Sequence, residues 1–342
     1  MKLLTNKNWG TLLLGSTFYG TGGGGSPLLA RDIYQQLNRR VGIPLRSLDE
    51  LVKPGICITA YTVGSLSQKT FPKKILSLAK THLEKRLQTP IIGIIPVEIG
   101  PLSIALAVAL AADLNLPLVD ADFVGGRSTP EVFLETITLF NIPRTLLIVA
   151  SPEGDIITIE TASTYKKEET LLRSLATSSG GYAYVLGYPI LPSLAKKSLV
   201  KNTVSQAIRV GQIIQENKLL SRLESVEGVL LFQGKITDIA TTLTGGFTTK
   251  QVTLKNKEAI AKVFIKNESL VFWINEKTIL TCPDLIILLN AKGKPLYNND
   301  LSKGMNITIV GVKSAPLWRS NKGVQLFNPK LFGFPFKPVL LI

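Results

Sequence analysis
The sequence holds a single histidine, His82, and only two cysteines, Cys57 and Cys282, in 342 residues. Any histidine-based catalytic arrangement must therefore be built on His82. That residue lies in the amphipathic stretch 71–88 beside Lys80, Glu84, Lys85 and Arg86, the setting of an exposed helical side chain. Two thiols exclude a disulfide framework and a four-thiolate zinc site, and they fit a reducing cytoplasm. No apolar run reaches the roughly 20 residues that span a bilayer. The longest uncharged one, 99–112, contains Pro101, and the N-terminus has no continuous apolar segment of the signal-peptide kind. The expectation is a soluble, cytoplasmic protein with no membrane partner. A Gly-x-Ser-x-Gly elbow is missing as well, which leaves acyl-enzyme chemistry by that route without support. Charged residues make up only 18% and hydrophobic ones 45%, so disorder is excluded and a sizeable core is expected. Lysine and arginine number 39 against 24 acids, a formal charge of +15. The lysines are scattered, with no arginine-rich block and no basic run interleaved with aromatics. A solvated lysine-rich surface explains the charge better than a nucleic-acid partner.

At roughly 150 residues per domain the length corresponds to about two domains. Residues 1–165 alternate apolar runs with helical periodicity: strands at 54–62, 91–97, 116–122 and 145–150, helices at 27–40, 71–88, 102–114 and 130–140. This alternation predicts an α/β domain. Residues 166–342 begin with helical stretches at 166–179 and 203–223. They continue as short β-type runs at 229–232, 251–254, 261–265, 270–274, 285–289 and 307–312, broken by turn signals such as Gly245-Gly246 and Lys292-Gly293. That pattern predicts a mainly β, barrel-like second domain.

Three clusters are candidates for chemistry. The run Gly20-Thr21-Gly22-Gly23-Gly24-Gly25-Ser26-Pro27 demands positive φ angles or close backbone approach, and it precedes a helix capped by Ser26 with Pro27 at its first position. Its free N–H groups would suit an anion or a carboxylate, while a tight packing turn accounts for it equally well. Gly20, Gly22 and Gly25 satisfy G-x-G-x-x-G formally. However, the preceding segment is as helical as it is strand-like, and no acid ends a second strand about 20 residues on. A P-loop fails because no Lys-Ser or Lys-Thr follows. In the second cluster, Asp120 and Asp122 at positions i and i+2 of a strand would project from one face at its C-terminal end. Such a pair suits either an oxygen-ligand metal site or an acid–base pair. Arg127 and Glu131 follow, and could equally be a pairing cation and a helix-dipole acid. The third candidate is Glu98, after the apolar run 91–97, in a stretch with no compensating charge. Thr62-Val63-Gly64-Ser65 would reach the same edge. Lys235 is either a substrate-reaching cation or a surface lysine, and Asn267-Glu268 reads most simply as a turn.

Nearly end to end, the chain resembles the family long called domain of unknown function 917, now associated with S-methyl thiohydantoin desulfurase and often found beside hydantoinase/oxoprolinase-type proteins. The resemblance rests on Gly20 to Gly25 with Pro27, Pro96-Val97-Glu98-Ile99-Gly100, and Leu116 to Asp122 with Pro130-Glu131. It continues through Thr203-x-Ser205-x-Ala207, Leu231-Phe232-x-Gly234-Lys235, Asn267-Glu268, Cys282-Pro283-Asp284, Trp318 and Phe332-Gly333-Phe334. It implies an α/β N-terminal domain, a barrel-like C-terminal domain, and hydrolytic release of a thiol from a small five-membered thiohydantoin or hydantoin-type ring. Water attack at the sulfur-bearing carbon needs an activated water and a stabilised intermediate. Asp120, Asp122 and Glu98 would be the catalytic carboxylates, with the two aspartates also the candidate ligands of a divalent metal. Gly22, Gly23, Gly24, Gly25, Arg127, Glu131 and Lys235 would bind substrate. The sequence departs from the family pattern at Ser26, at Pro101-Leu102-Ser103 and at Asn290. These departures and the missing histidine chemistry keep open a non-catalytic role as binding or assembly partner of a hydantoinase-like enzyme, and the long hydrophobic helices would suit a homo-oligomer.

Overall fold
A computed structural model describes residues 2–37, 42–64, 73–144, 146–244 and 247–342. Ser65, Thr145, Gly245, Gly246 and the outer ends of the helices expected at 27–40 and 71–88 lie outside these residues. The architecture is that of an α/β domain followed by a mainly β domain. The first sheet has eight strands in the order Lys2–Leu4, Ile43–Arg46, Leu118–Val119, Ile91–Ile94, Ile56–Gly64, Tyr182–Ile190, Leu147–Ala150, Ile156–Ile159. From Ile43–Arg46 to Ile56–Gly64 the strands run parallel, as expected for βα alternation. The other pairs are antiparallel. Among the described residues, no helix is long and apolar enough to cross a membrane.

Chain beyond residue 165 returns to this sheet. Tyr182–Ile190 inserts between Ile56–Gly64 and Leu147–Ala150, a strand that periodicity did not announce because both of its faces are buried. Within it Tyr188 holds φ at +53°, a left-handed conformation unfavourable for a bulky side chain. The helix Thr203–Gln215 then packs on Asn6–Tyr19 at very short range. A Cβ on Gly15 would lie 1.7 Å from the carbonyl oxygen of Ala207, and one on Gly211 1.7 Å from that of Thr11. The helix Pro101–Leu114 is buried on every side over its first 11 residues, Pro101 to Ala111, consistent with its Ala- and Leu-rich sequence.

The second sheet curls into a half-barrel of seven antiparallel strands: Lys277–Thr281, Glu268–Ile274, Ile260–Lys266, Phe247–Lys255, Gly228–Thr244, Asn306–Val312, Leu285–Asn290. Phe232, Ile236, Val252, Leu254, Val263, Phe272 and Ile309 fill its concave side. The short run expected at 229–232 is the start of one 17-residue strand, Gly228–Thr244.

Three local expectations change, each for a tertiary reason. The strand expected at 116–122 breaks at Asp120. Leu118–Val119 stays in the large sheet, whereas Ala121–Asp122 leaves it to pair with Val200–Lys201. Asp120 makes the corner by donating its N–H to Arg46 O (2.7 Å) and accepting from Asn202 N (2.7 Å). The helix expected at 130–140 shrinks to Thr136–Leu139. Thr136 N–H, which a helix over 130–140 would send to Val132 O, goes to Phe123 O, and Val132 N–H is taken by the Glu169 carboxylate. The helix expected at 203–223 stops at Gln215, and a 3-10 segment, Leu220–Val226, leads into the second sheet.

The helix crossing at Gly211 leaves no room for a methyl group. Gly211→Ala should lower stability by about 1–3 kcal/mol, read as a lower urea midpoint at unchanged slope. An unchanged midpoint would mean the helices separate at no cost.

Candidate functional site
The glycine loop joins Asn6–Tyr19 to Pro27–Leu37, and so follows a helix where a dinucleotide site requires a strand. Thr21, Gly22, Gly24 and Gly25 all have positive φ. The loop is clamped between the two domains. Thr21 O accepts from Ser269 N (3.0 Å), Gly22 O from Asn298 N (2.8 Å) and Gly24 O from Leu102 N (3.0 Å). The Gly24 N–H donates to Glu268 Oε1 (3.2 Å). A side chain cannot be added here, since a Cβ on Gly23 would sit 2.0 Å from Glu268 Oε1 and one on Gly25 2.4 Å from Leu102. The loop is therefore a packing device, and it also presents Gly24 and Gly25 to a cleft.

That cleft is small and open at its mouth, and residues of both domains line it. Gly24, Gly25 and Ser26 form one side, Tyr61 to Gly64 another, and Glu98, Ser103, Thr129, Glu135, Arg173 and Glu268 supply its polar groups. Val63, Val97, Leu102, Val124 and Val132 make the apolar wall. Glu98 sits just past the strand Ile91–Ile94, as its place in the sequence suggested. Its Oε1 accepts from Ser103 Oγ (2.7 Å) in the first turn of Pro101–Leu114, and its Oε2 from Thr129 N (3.1 Å). Burial pushes this carboxyl up to about 7 despite those donors. Glu268 opens the strand Glu268–Ile274 of the other domain and is 2% exposed. Burial raises it well above the usual carboxylate range, the charge of Glu98 raises it further, and Arg127 opposes both. Its Oε2 is buried without a hydrogen-bond partner. Of the two acids, Glu98 has the donors that favour its ionised form, so the proton resides on Glu268.

A second polar group lies at the other end of the cleft. Tyr61 hydroxyl is 3.0 Å from that of Tyr188, which is 3.2 Å from Glu168 Oε1. Buried Arg144 approaches Glu135 Oε2 through Nε at 3.0 Å and Glu168 Oε1 at 3.8 Å. Its guanidinium also covers the ring of Tyr165 at 4.4 Å. Burial raises both carboxyls, Glu168 to about 7.

The remaining candidates hold the frame. Both Asp120 oxygens bind Ser205, through its N–H (2.9 Å) and its hydroxyl (2.5 Å), and so cap Thr203–Gln215. Asp122 accepts from Val124 N (3.0 Å), Gly125 N (2.7 Å) and Gly126 N (2.8 Å). The corner at Asp120 thus sends the two carboxylates to different partners instead of a common face. With their oxygens occupied in this way, and no group of three metal-ligating acids, histidines or cysteines among the described residues, the pair does not fit a divalent metal. Arg127 is fully buried, reaches Pro283 O and Asp284 O across the domain boundary, and stacks on Phe327 at 4.7 Å; it does not line the cleft. Glu131 pairs with Lys266. Gly22 and Gly23 face the interdomain contact, and Lys235 is exposed on Gly228–Thr244, outside the cleft lining. Glu268, Glu135, Tyr61 and Arg173 were not among the sequence candidates. In the sequence Glu268 follows Asn267 in what reads as a turn; the structure places it at the head of the strand Glu268–Ile274, after Asn267 at φ +58°.

The family model described as the S-Me-THD-like N-terminal domain matches residues 8–161, and the one described as the S-Me-THD-like C-terminal domain matches 163–339. The chain belongs to the S-Me-THD-like family. The crystal structure of a protein from Chromobacterium violaceum is similar over 100% of this chain and 99% of that one, with a TM-score of 0.84 at 23% identity. At that identity the likeness shows the fold alone. No curated protein matches the chain.

Ionising the buried Glu98 has a cost in stability that depends on pH. Its folded value, about 7, exceeds the unfolded value of 4.5. Between these the native state binds the extra proton, so stability falls as pH rises through that window. Glu98→Gln should remove this fall and leave the variant more stable above neutrality, by on the order of 3 kcal/mol. Urea unfolding at a series of pH values measures it, and parallel curves for both proteins would contradict the assignment.

Proposed function
We propose that the protein is a hydrolase of small cyclic amides, taking an S-methyl thiohydantoin ring and replacing its S-methyl sulfur with the oxygen of water to leave a hydantoin-type ring. One observation carries this reading. Two buried carboxyls from different domains, Glu98 and Glu268, line one small cleft beside a glycine loop, burial raising Glu98 to about 7 and Glu268 well above the usual carboxylate range. Membership of the S-Me-THD-like family supports the choice of ring.

The chemistry requires a base and an acid in opposite protonation states at the same pH, and perturbed pairs of this kind supply them. Ionised Glu98 takes a proton from water as its oxygen bonds to the ring carbon that bears sulfur. Protonated Glu268 gives its proton to the adjacent ring nitrogen, so no free anion accumulates on the ring. The tetrahedral carbon then collapses. Its C–S bond breaks, the departing thiolate takes the proton held by Glu98, and the new hydroxyl returns its proton to Glu268 as the carbonyl forms. Water and the S-methyl ring become a hydantoin-type amide and methanethiol, with both acids restored. The apolar wall of Val63, Val97, Leu102 and Val132 keeps the site poor in competing water and strengthens these interactions.

Glu98→Gln and Glu268→Gln should each reduce thiol release by about a hundredfold or more, with both proteins folded. On the acid side the wild-type rate should climb as pH rises through about 7, where Glu98 ionises. Turnover of S-methyl thiohydantoins by Glu98→Gln at the wild-type rate would refute the mechanism.

A further inference from the structure
The hydrogen-bonded group at the far end of the cleft has a feature that packing does not require. It begins and ends on the same cavity: Tyr61 and Glu135 both line the cleft, while Tyr188, Glu168 and Arg144 join them behind its wall. Burying two acids and an arginine is unfavourable compared with apolar filling of the same space, so its retention calls for a use. The backbone carries a second sign. Tyr188 is held in a left-handed conformation inside a strand, and this strain places its hydroxyl between those of Tyr61 and Glu168.

We propose that Tyr61 is a substrate-reading hydrogen-bond donor whose direction is set, through Tyr188, by the protonation of Glu168. The inference rests on the proposed cyclic-amide substrate, whose ring carries carbonyl and imine-type acceptors. A tyrosine hydroxyl has one proton and two acceptor positions. The three hydroxyl-bearing groups therefore have two consistent directions. With Glu168 protonated, it donates to Tyr188, Tyr188 donates to Tyr61, and the Tyr61 proton is left for a ring acceptor in the cleft. With Glu168 ionised the chain reverses, and Tyr61 spends its proton on Tyr188 and offers the cleft only lone pairs. Arg144 lies between the two acids, its Nε 3.0 Å from Glu135 and 3.8 Å from Glu168, and burial raises both, Glu135 to about 8 and Glu168 to about 7, so Glu168 is the one that ionises first as pH rises. The groups facing Glu168 are Arg144, Glu135, Glu169, Tyr61, Tyr165 and Tyr188. Arg144 is the one cation among them, and it faces both Glu135 and Glu168. Burial raises Glu168 to about 7, so the donor form of Tyr61 fades as pH climbs above neutrality. Glu98 gains its base form over the same interval, and the two together give a rate maximum.

The test compares wild type with Tyr61→Phe, Tyr188→Phe and Glu168→Gln, each nearly isosteric. Thiol release from an S-methyl thiohydantoin and calorimetric binding of unsubstituted hydantoin are measured from about pH 5 to 9. Tyr61→Phe and Tyr188→Phe should each weaken both readouts by about tenfold or more, without adding in the double variant. Glu168→Gln places an amide donor toward Tyr188 at every pH, so it should abolish the alkaline fall in hydantoin binding. Wild-type binding by Tyr61→Phe, or an alkaline fall that persists in Glu168→Gln, would overturn the inference. Hydantoin binding that shows these dependences without any thiol release would uphold Tyr61 and remove the hydrolase reading. No hydantoin binding by wild type would remove both.

Discussion
A hydrogen bond across the domain boundary, from the Gly24 N–H to the Glu268 carboxyl, is the contact on which the cleft depends. It holds only because Thr21, Gly22, Gly24 and Gly25 take left-handed conformations and the glycines carry no side chains. This lets the backbone lie against the Glu268 carboxyl on one side and Leu102 on the other. Asn298 clips the same loop from the second domain, and Ser269 N–H reaches Thr21 O beside it. A glycine loop that could have been an anion cradle instead brings a carboxyl from the half-barrel to the edge of the α/β sheet.

The outer supports work toward the same end. Asp120 caps one helix and turns the chain, Asp122 gathers three N–H groups of the following loop, and Arg127 ties that loop to the carbonyls of Pro283 and Asp284. Removing water from two acids costs free energy that ordinary folding would avoid. Burial raises Glu98 and Glu268, and it raises Asp122 to about 7 as well, although three N–H groups bind that aspartate. What separates them is position: Glu98 and Glu268 line the cleft, whereas Asp120 and Asp122 bind the frame outside it.

Much of the fold was legible from periodicity. The parallel run of strands, the buried helix Pro101–Leu114 and the β-rich second half all follow from local pattern. What escaped was decided at long range. Tyr182–Ile190 is apolar on both faces and gives no alternation to read. The helix expected at 130–140 gives its donors to Glu169 and Phe123, partners that no local window contains. Glu98 could be found because it stands alone after an apolar strand. Glu268 could not, because the turn-like Asn267-Glu268 acquires its meaning only when the half-barrel docks against the glycine loop. The aspartates misled because period-2 alternation assumes a continuous strand, and the chain turns between them.

The central claim is that Glu98 and Glu268 share one proton at neutral pH. Carbon-13 NMR of glutamate side-chain carboxyls, titrated in wild type and in Glu268→Gln, measures this directly. The account predicts a Glu98 resonance that titrates near 7 and a Glu268 resonance still protonated there, with Glu98 moving when Glu268 is replaced. Two carboxyls that both ionise in the ordinary range near 4, each indifferent to the other, would contradict it.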